Sequence, residues 1–148
     1  MNPNMMKTYK SLLIITLLAI VPFYSFGGNF SISTENNIIK KPRPGQKVTA
    51  GYINLTANED VKIINIESKM IGRIETHSMI MDGEIMKMRK ITPSLNRNKM
   101  YKFEPGGNHL MLFDIKRELK QGEDINLIFT FELKNKKLLS KSILFKIK

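Results

Sequence analysis

The sequence contains no cysteine and no tryptophan in its 148 residues, and it has only two histidines. Without cysteine, disulfide bonds, thiolate metal ligands and thiol catalysis are excluded, and no residue is available for a thioether-linked lipid. No stretch keeps a helical period of apolar residues for three turns, so helices do not organise the chain. The fold must therefore be stabilised by its hydrophobic core alone, which a domain of about 120 residues can provide.

Hydrophobic residues make up 42% of the chain and charged residues 25%, which is typical of a globular protein. The formal net charge is +11. Such an excess would attract an acidic partner or an anionic membrane surface, although lysines spread over a solvated surface explain it more simply. No basic helix or aromatic platform accompanies the charge, which argues against nucleic-acid binding.

The N-terminal segment differs in composition from the rest of the chain. Lys7 and Lys10 precede an almost wholly apolar run at residues 12–21, and a proline follows. This is the layout of a secretory signal, and a membrane span would need a longer run of roughly 20 apolar residues. We therefore predict a signal peptide at residues 1–27 and a periplasmic or otherwise exported domain at residues 28–148. Whether the signal is cleaved or kept as an anchor stays open.

Short β-rich runs separated by turn residues fill the remaining sequence. They lie at residues 48–56, 61–67, 100–104 and 109–113, with alternating apolar faces at 125–131 and 143–147. Residues 28–37 are predicted as a polar leader, 92–99 as an exposed connection and 116–120 as one helical turn. This pattern predicts a single all-β domain, either a sandwich or a barrel.

An Asp-Gly pair between two alternating runs predicts a β-hairpin with Asp82 and Gly83 as its two loop residues. The predicted register then sets Met81 opposite Glu84, Met79 opposite Met86 and His77 opposite Met88. Because side chains alternate along a strand, His77, Met79, Met86 and Met88 are expected on one face. Opposed residues have Cβ atoms about 4.5–5.5 Å apart, close enough for an imidazole and a thioether to bind one ion.

Both histidines occur as His-x-Met, at His77 and Met79 and again at His109 and Met111. With ten methionines in the chain, the hairpin alone is explained better by core packing than by metal binding. The second His-x-Met, which follows a Gly-Gly loop, favours a site shared by two strands. Imidazole and thioether without thiolate are ligands for Cu(I) or its mimic Ag(I), and acid should weaken such a site through its histidines.

At these residues the sequence resembles the PCuAC family of periplasmic copper chaperones. The family pattern is a histidine, ten residues, a methionine, about twenty-one residues and then His-x-Met. Here ten residues separate His77 from Met88, and twenty separate Met88 from His109, with Met111 completing the motif. The missing residue is placed in the connection at 92–99. Further similarity covers the stretches 86–89, 105–113, 119–123 and 129–132.

The resemblance implies a cupredoxin-like Greek-key β-sandwich that holds one Cu(I) ion near its surface. The implied ligands are His77, Met88, His109 and Met111. Outside the family motif, the predicted hairpin register makes Met79 and Met86 possible accessory sulfurs, and core packing is predicted for Met81. The implied function is a monomeric metallochaperone that passes copper to an acceptor such as an oxidase subunit. Some relatives carry a second copper site in a histidine-rich C-terminal tail, but residues 142–148 contain no histidine.

Three other interpretations of the sequence remain open. The first is an enzyme, which is disfavoured because the carboxylates Glu75, Asp82, Glu84, Glu104 and Asp114 form no evident acid/base pair and are interpreted as solvated turn residues. The second is an exported basic β-sandwich that binds a protein or a membrane surface and uses its methionines as core. The third is copper buffering without delivery, which sequence alone does not separate from a chaperone.

Overall fold

The structure, a computed structural model, describes residues 28–148 and contains ten β-strands over that range. The strands are β1 (Ile32–Ile39), β2 (Thr49–Ala57), β3 (Val61–Glu67), β4 (Ile71–Asp82), β5 (Ile85–Lys90), β6 (Ser94–Leu95), β7 (Met100–Phe103), β8 (His109–Ile115), β9 (Asp124–Leu133) and β10 (Leu138–Ile147). Within this range we find no helix with the length and apolar character needed to cross a membrane. The predicted signal peptide lies outside the described residues.

The strands follow one hydrogen-bonded path in the order β5-β4-β8-β2-β1-β10-β9-β3-β6, and β7 also pairs with β2. Strand β1 joins the two halves of this path. It runs antiparallel to β2, and Ile38 and Ile39 pair in parallel with β10. Its register shifts between Glu35 and Ile38, where Asn36 has a φ of 55°, so the strand bends where pairing with β10 begins. The prediction of an all-β sandwich is confirmed.

The core explains which way the strands face. Strand β9 and residues 143–147 of β10 bury every second side chain, and the ring of Phe129 lies 6.1 Å from those of Phe131 and Phe145. From the other half, Leu110 and Leu112 of β8 are fully buried. Because successive side chains of a strand point to opposite faces, burying these two leucines turns His109, Met111 and Phe113 to the other face. The alternation ends at Asp114, whose φ is 55°, and Ile115 is again buried in the core.

Three local predictions are wrong. The predicted leader contains β1, because pairing with β2 and β10 overrides the polar composition of residues 28–37. Residues 116–120 form no helical turn, since so short a helix is marginal and Leu119 is instead fixed in the core, 1% exposed. The connection at 92–99 is not wholly exposed: it contains β6, which pairs with β3 and buries Leu95.

Strands β4 and β8 approach closely at Gly72, which faces Asp114 across the pair. A Cβ at Gly72 would lie 2.8 Å from the Cβ of Asp114, a contact that only a backbone shift can relieve. We expect Gly72→Ala to lower the free energy of unfolding by roughly 1–3 kcal/mol in urea denaturation. Gly107→Ala is the control, because its new Cβ would meet nothing closer than 3.5 Å. Equal stability of the two variants would contradict the close approach of the two strands.

Candidate metal centre

Strand β4 is the centre of the candidate site, because it pairs with β5 on one side and β8 on the other. His77 of β4 lies directly opposite His109 of β8, and their ring centroids are 6.0 Å apart. Met111, two residues after His109, faces Glu75 on the same side of the sheet. The two His-x-Met segments therefore lie on neighbouring strands with their histidines together, as the sequence predicts.

The hairpin between β4 and β5 has a different register from the predicted one. Asp82 pairs with Ile85, so the loop residues are Gly83 and Glu84 instead of Asp82 and Gly83. Only Gly83 takes a positive φ, 65°, which is the pattern of a type II′ turn with glycine first. An Asp82-Gly83 turn of type I′ would also force Asp82 into that region, so the observed turn confines the positive φ to glycine.

The new register moves each predicted pair by two residues but keeps every side chain on its predicted face. Met88 lies opposite Met79, Met86 opposite Met81, and Lys90 occupies the position opposite His77. Met88 is consequently a diagonal neighbour of His77, within reach of a long side chain but not directly across from it. On the other side of His77, its diagonal neighbour is Met111 of β8.

Exposure separates the methionines of this face. Met79 and Met111 are half-buried, whereas Met88 is 49% exposed. The prediction that Met81 packs in the core is wrong, because Met81 is 62% exposed near the hairpin turn. The physical reason is that β5 is an edge strand whose six residues are all exposed, so no core exists beneath this part of the hairpin.

The ring of His77 is held by a carboxylate that sequence analysis did not identify as functional. Nε2 of His77 lies 2.8 Å from Oε2 of Glu75, and because a carboxylate only accepts, Nε2 donates the proton. Nδ1 of His77 is then an unprotonated acceptor, and it is buried without a hydrogen-bond partner. A buried lone pair with no partner is costly in a protein interior and fits a metal ion as its missing partner.

Glu75 therefore does not belong to a solvated turn, as the sequence suggested, but to the middle of β4. Its hydrogen bond from His77, and secondarily that from Lys90, hold the pKa of its carboxyl below the usual value against the opposing effect of desolvation. Lys90 Nζ lies 3.4 Å and Arg73 Nη1 3.8 Å from Oε1 of Glu75. Its position two residues before His77, on the same strand face, is the signal that could have found it.

The second histidine is oriented by the backbone. Nδ1 of His109 lies 3.0 Å from the carbonyl oxygen of Gly107, so Nδ1 donates and Nε2 keeps its lone pair. The loop that positions Gly107 is closed by a hydrogen bond from Glu104 N to Asn108 O of 2.7 Å, and Gly106 takes a φ of 81° there. In the neutral form that binds a metal, each histidine thus has one nitrogen without a proton, and its hydrogen-bond partner decides which nitrogen that is.

Other features of the described residues lie away from these histidines. The largest cavity lies between the loop at 41–47 and residues 115–119, and no candidate ligand lines it. Between residues 28 and 148, no three side chains of histidine, cysteine, aspartate or glutamate form a metal-binding group. The donor set of the candidate centre is accordingly a mixed one of imidazole nitrogen and thioether sulfur.

Comparison with protein families matches residues 32–139 to the LpqE-like family, whose description refers to a lipoprotein. The chain belongs to the LpqE-like family. A curated relative, uncharacterized protein RP573 of Rickettsia prowazekii (strain Madrid E), is 35% identical over 96 residues, which cover 62% of this chain and 53% of the relative. The chain thus spans about half the length of that relative. No cysteine occurs in this member's sequence.

Solved structures similar to this LpqE-like protein are PCuAC domains. The apo PCuAC domain from PmoF1 has a TM-score of 0.65 at 18% identity, covering 79% of this chain and 92% of that one. The copper-bound PCuAC domain from PmoF2 has a TM-score of 0.58 at 16% identity, covering 79% and 93%. The solution structure of CuI-DR1885 from Deinococcus radiodurans has a TM-score of 0.53 at 23% identity, covering 79% and 76%. These likenesses confirm the predicted cupredoxin-like sandwich fold.

Proposed function

We propose that this LpqE-like protein is an exported metallochaperone that binds one Cu(I) ion and passes it to a copper-containing acceptor such as an oxidase subunit. The observation that carries the proposal is the pairing of His77 with His109, each with one proton-free nitrogen on a face that also bears sulfur. Imidazole and thioether are neutral, soft ligands that suit a monovalent copper ion. Two of the similar structures are described as copper-bound, which supports the same cargo here.

The proposed ligands are His77, Met88, His109 and Met111. The two histidines and Met111 occupy adjacent positions on β4 and β8, and Met88 approaches from β5 on the other side of His77. Glu75 acts on the ion through His77: its carboxylate fixes the ring and raises the basicity of the free nitrogen. Met79 is diagonal to His109 and is the accessory sulfur on the same face.

The exposure of Met88 at the edge of the sheet supports the proposal of delivery. Met88 is half-exposed on an edge strand, so an acceptor can approach this ligand without opening the core. A thioether is a neutral ligand, and each single sulfur–copper bond is weak. The acceptor can therefore replace the methionine ligands of this protein one after another. We propose that residues 1–27 direct export, that residues 28–148 act as a monomer, and that the protein carries its ion without catalysing a reaction.

X-ray absorption of the copper-loaded protein tests this proposal directly. We expect a Cu(I) edge and a coordination shell that contains both nitrogen and sulfur, after stoichiometric uptake in competition with a Cu(I) chelator. Incubation with a copper-free oxidase subunit should then move the metal to that subunit. Failure to take up copper would favour the basic binding module, and stable uptake without transfer would favour buffering.

A further inference from the structure

The hairpin of β4 and β5 carries four methionines on one face, and we call Met79, Met81, Met86 and Met88 the thioether row. Met79 pairs with Met88 and Met81 pairs with Met86, so all four project from the same side. The proposed copper site accounts for Met88 and, as an accessory, Met79. It leaves Met81 and Met86, the pair nearest the turn, without a role.

The opposite face of the same hairpin is chemically different. Asp82 and Lys87 form an ion pair there, with Nζ and Oδ2 2.5 Å apart, and Arg89 pairs with Ser78. The apolar residues of that face are Ile80 and Ile85, which carry no sulfur. Methionine is thus confined to one side of a ribbon that has no core beneath it. Since Met81 is 62% and Met86 58% exposed, burial of apolar area does not explain why both are on this face.

From these observations we infer that the thioether row forms a second soft-metal site, in which Met81, Met86 and Met79 bind a Cu(I)-like ion through sulfur alone. Directly opposed residues have Cβ atoms about 4.5–5.5 Å apart, so the sulfurs of Met81 and Met86 can meet at one ion between them. Met79, two residues from Met81 on the same face, supplies the third sulfur. Neutral sulfur ligands without a carboxylate or thiolate select a soft monovalent cation.

The second site has a position that suits transfer. We call the second site, formed by Met81, Met86 and Met79, the row site. Met88 lies opposite Met79 and diagonal to His77, so it is located between the row site and the paired histidines. An ion held by the exposed pair can pass to the histidines by exchange of one sulfur ligand for another, with no change of oxidation state and no proton released. The row site is therefore the entry or exit position for the ion at the edge of the sheet.

Titration of the protein with Ag(I) alone, followed by native mass spectrometry, tests the inference. We expect two ions per chain in the wild type and one in the double variant Met81→Leu/Met86→Leu, which keeps side-chain volume and changes only exposed positions. The matched control is Met70→Leu/Met100→Leu, which should still bind two. A wild type that saturates at one ion retained by Met81→Leu/Met86→Leu would overturn the second site.

Replacing both paired histidines by alanine separates this inference from the proposed function. The variant His77→Ala/His109→Ala should bind one Ag(I) ion, and the ion should shift the methyl NMR signals of Met81 and Met86. If the wild type binds one ion that is lost in Met81→Leu/Met86→Leu but kept in His77→Ala/His109→Ala, the row site stands and the histidine site fails. Should Ag(I) leave the methyl signals of Met81 and Met86 unmoved in the wild type as well, the row site is refuted.

Discussion

Replacing His109 by alanine should lower the affinity for Cu(I) by at least about 100-fold, since loss of a residue that only orients a ligand already costs about 10–100-fold. His109 keeps the lone pair of Nε2 free for the ion because its Nδ1–H donates to the carbonyl oxygen of Gly107. Alanine removes that nitrogen and leaves His77 without its directly opposed partner. Competition with a Cu(I) chelator at fixed pH measures the change.

Because His109 is only 7% exposed, its replacement also affects packing, and a second variant separates the two effects. Met111→Leu preserves volume and apolar character while removing only the sulfur, so it should weaken Cu(I) binding and leave thermal stability close to that of the wild type. Met100→Leu is the control, since Met100 lies on β7 away from the histidines. Unchanged Cu(I) affinity in both His109→Ala and Met111→Leu would contradict the ligand assignment.

The largest loss of stability is expected for Phe129→Ala, at about 3–5 kcal/mol. Phe129 is completely buried, and its ring stacks at 6.1 Å against both Phe131 and Phe145. Alanine there leaves a cavity in the centre of the core, which the rigid strands on either side cannot close. The free energy of unfolding from urea denaturation measures the loss.

The control for this substitution lies on the neighbouring strand. Leu144 of β10 is 51% exposed and points away from the core, so Leu144→Ala should change stability by no more than about 0.5 kcal/mol. A similar loss in both variants would mean that the phenylalanine cluster is not the part of the core that matters most.

Alternation of apolar residues made most of the strands predictable. Strand β9 and the second half of β10 bury every second residue because one face packs on the core, and the apolar residues of the sequence show the same period of two. The pairing of His77 with His109 was also predictable, since two short strands with the same His-x-Met pattern indicate a shared site. The ligand assignment of these residues remains a prediction.

Features that depend on pairing between distant segments were not predictable. Strand β1 has a polar sequence and exists because β2 and β10 offer it hydrogen-bonding edges. The hairpin register was missed because turns at Asp82-Gly83 and at Gly83-Glu84 both preserve the faces of the strands. The φ of Asp82 distinguishes them: a type I′ turn at Asp82-Gly83 requires it to be positive, and in the structure it is not. The role of Glu75 depends on contacts with three side chains that are visible only in the folded protein.

The exposure of β5 on both faces has a mechanical consequence for the edge of the sheet. Its position along β4 is maintained by backbone hydrogen bonds and the turn, with no buried side chain acting as an anchor. A shift of β5 by two residues along β4 would expose no buried apolar area. It would move Met88 from the position opposite Met79 to the position opposite His77. The domain thus combines a rigid interior with an adaptable sheet edge, where the spacing of the methionine sulfurs can change while the remaining strands stay in place.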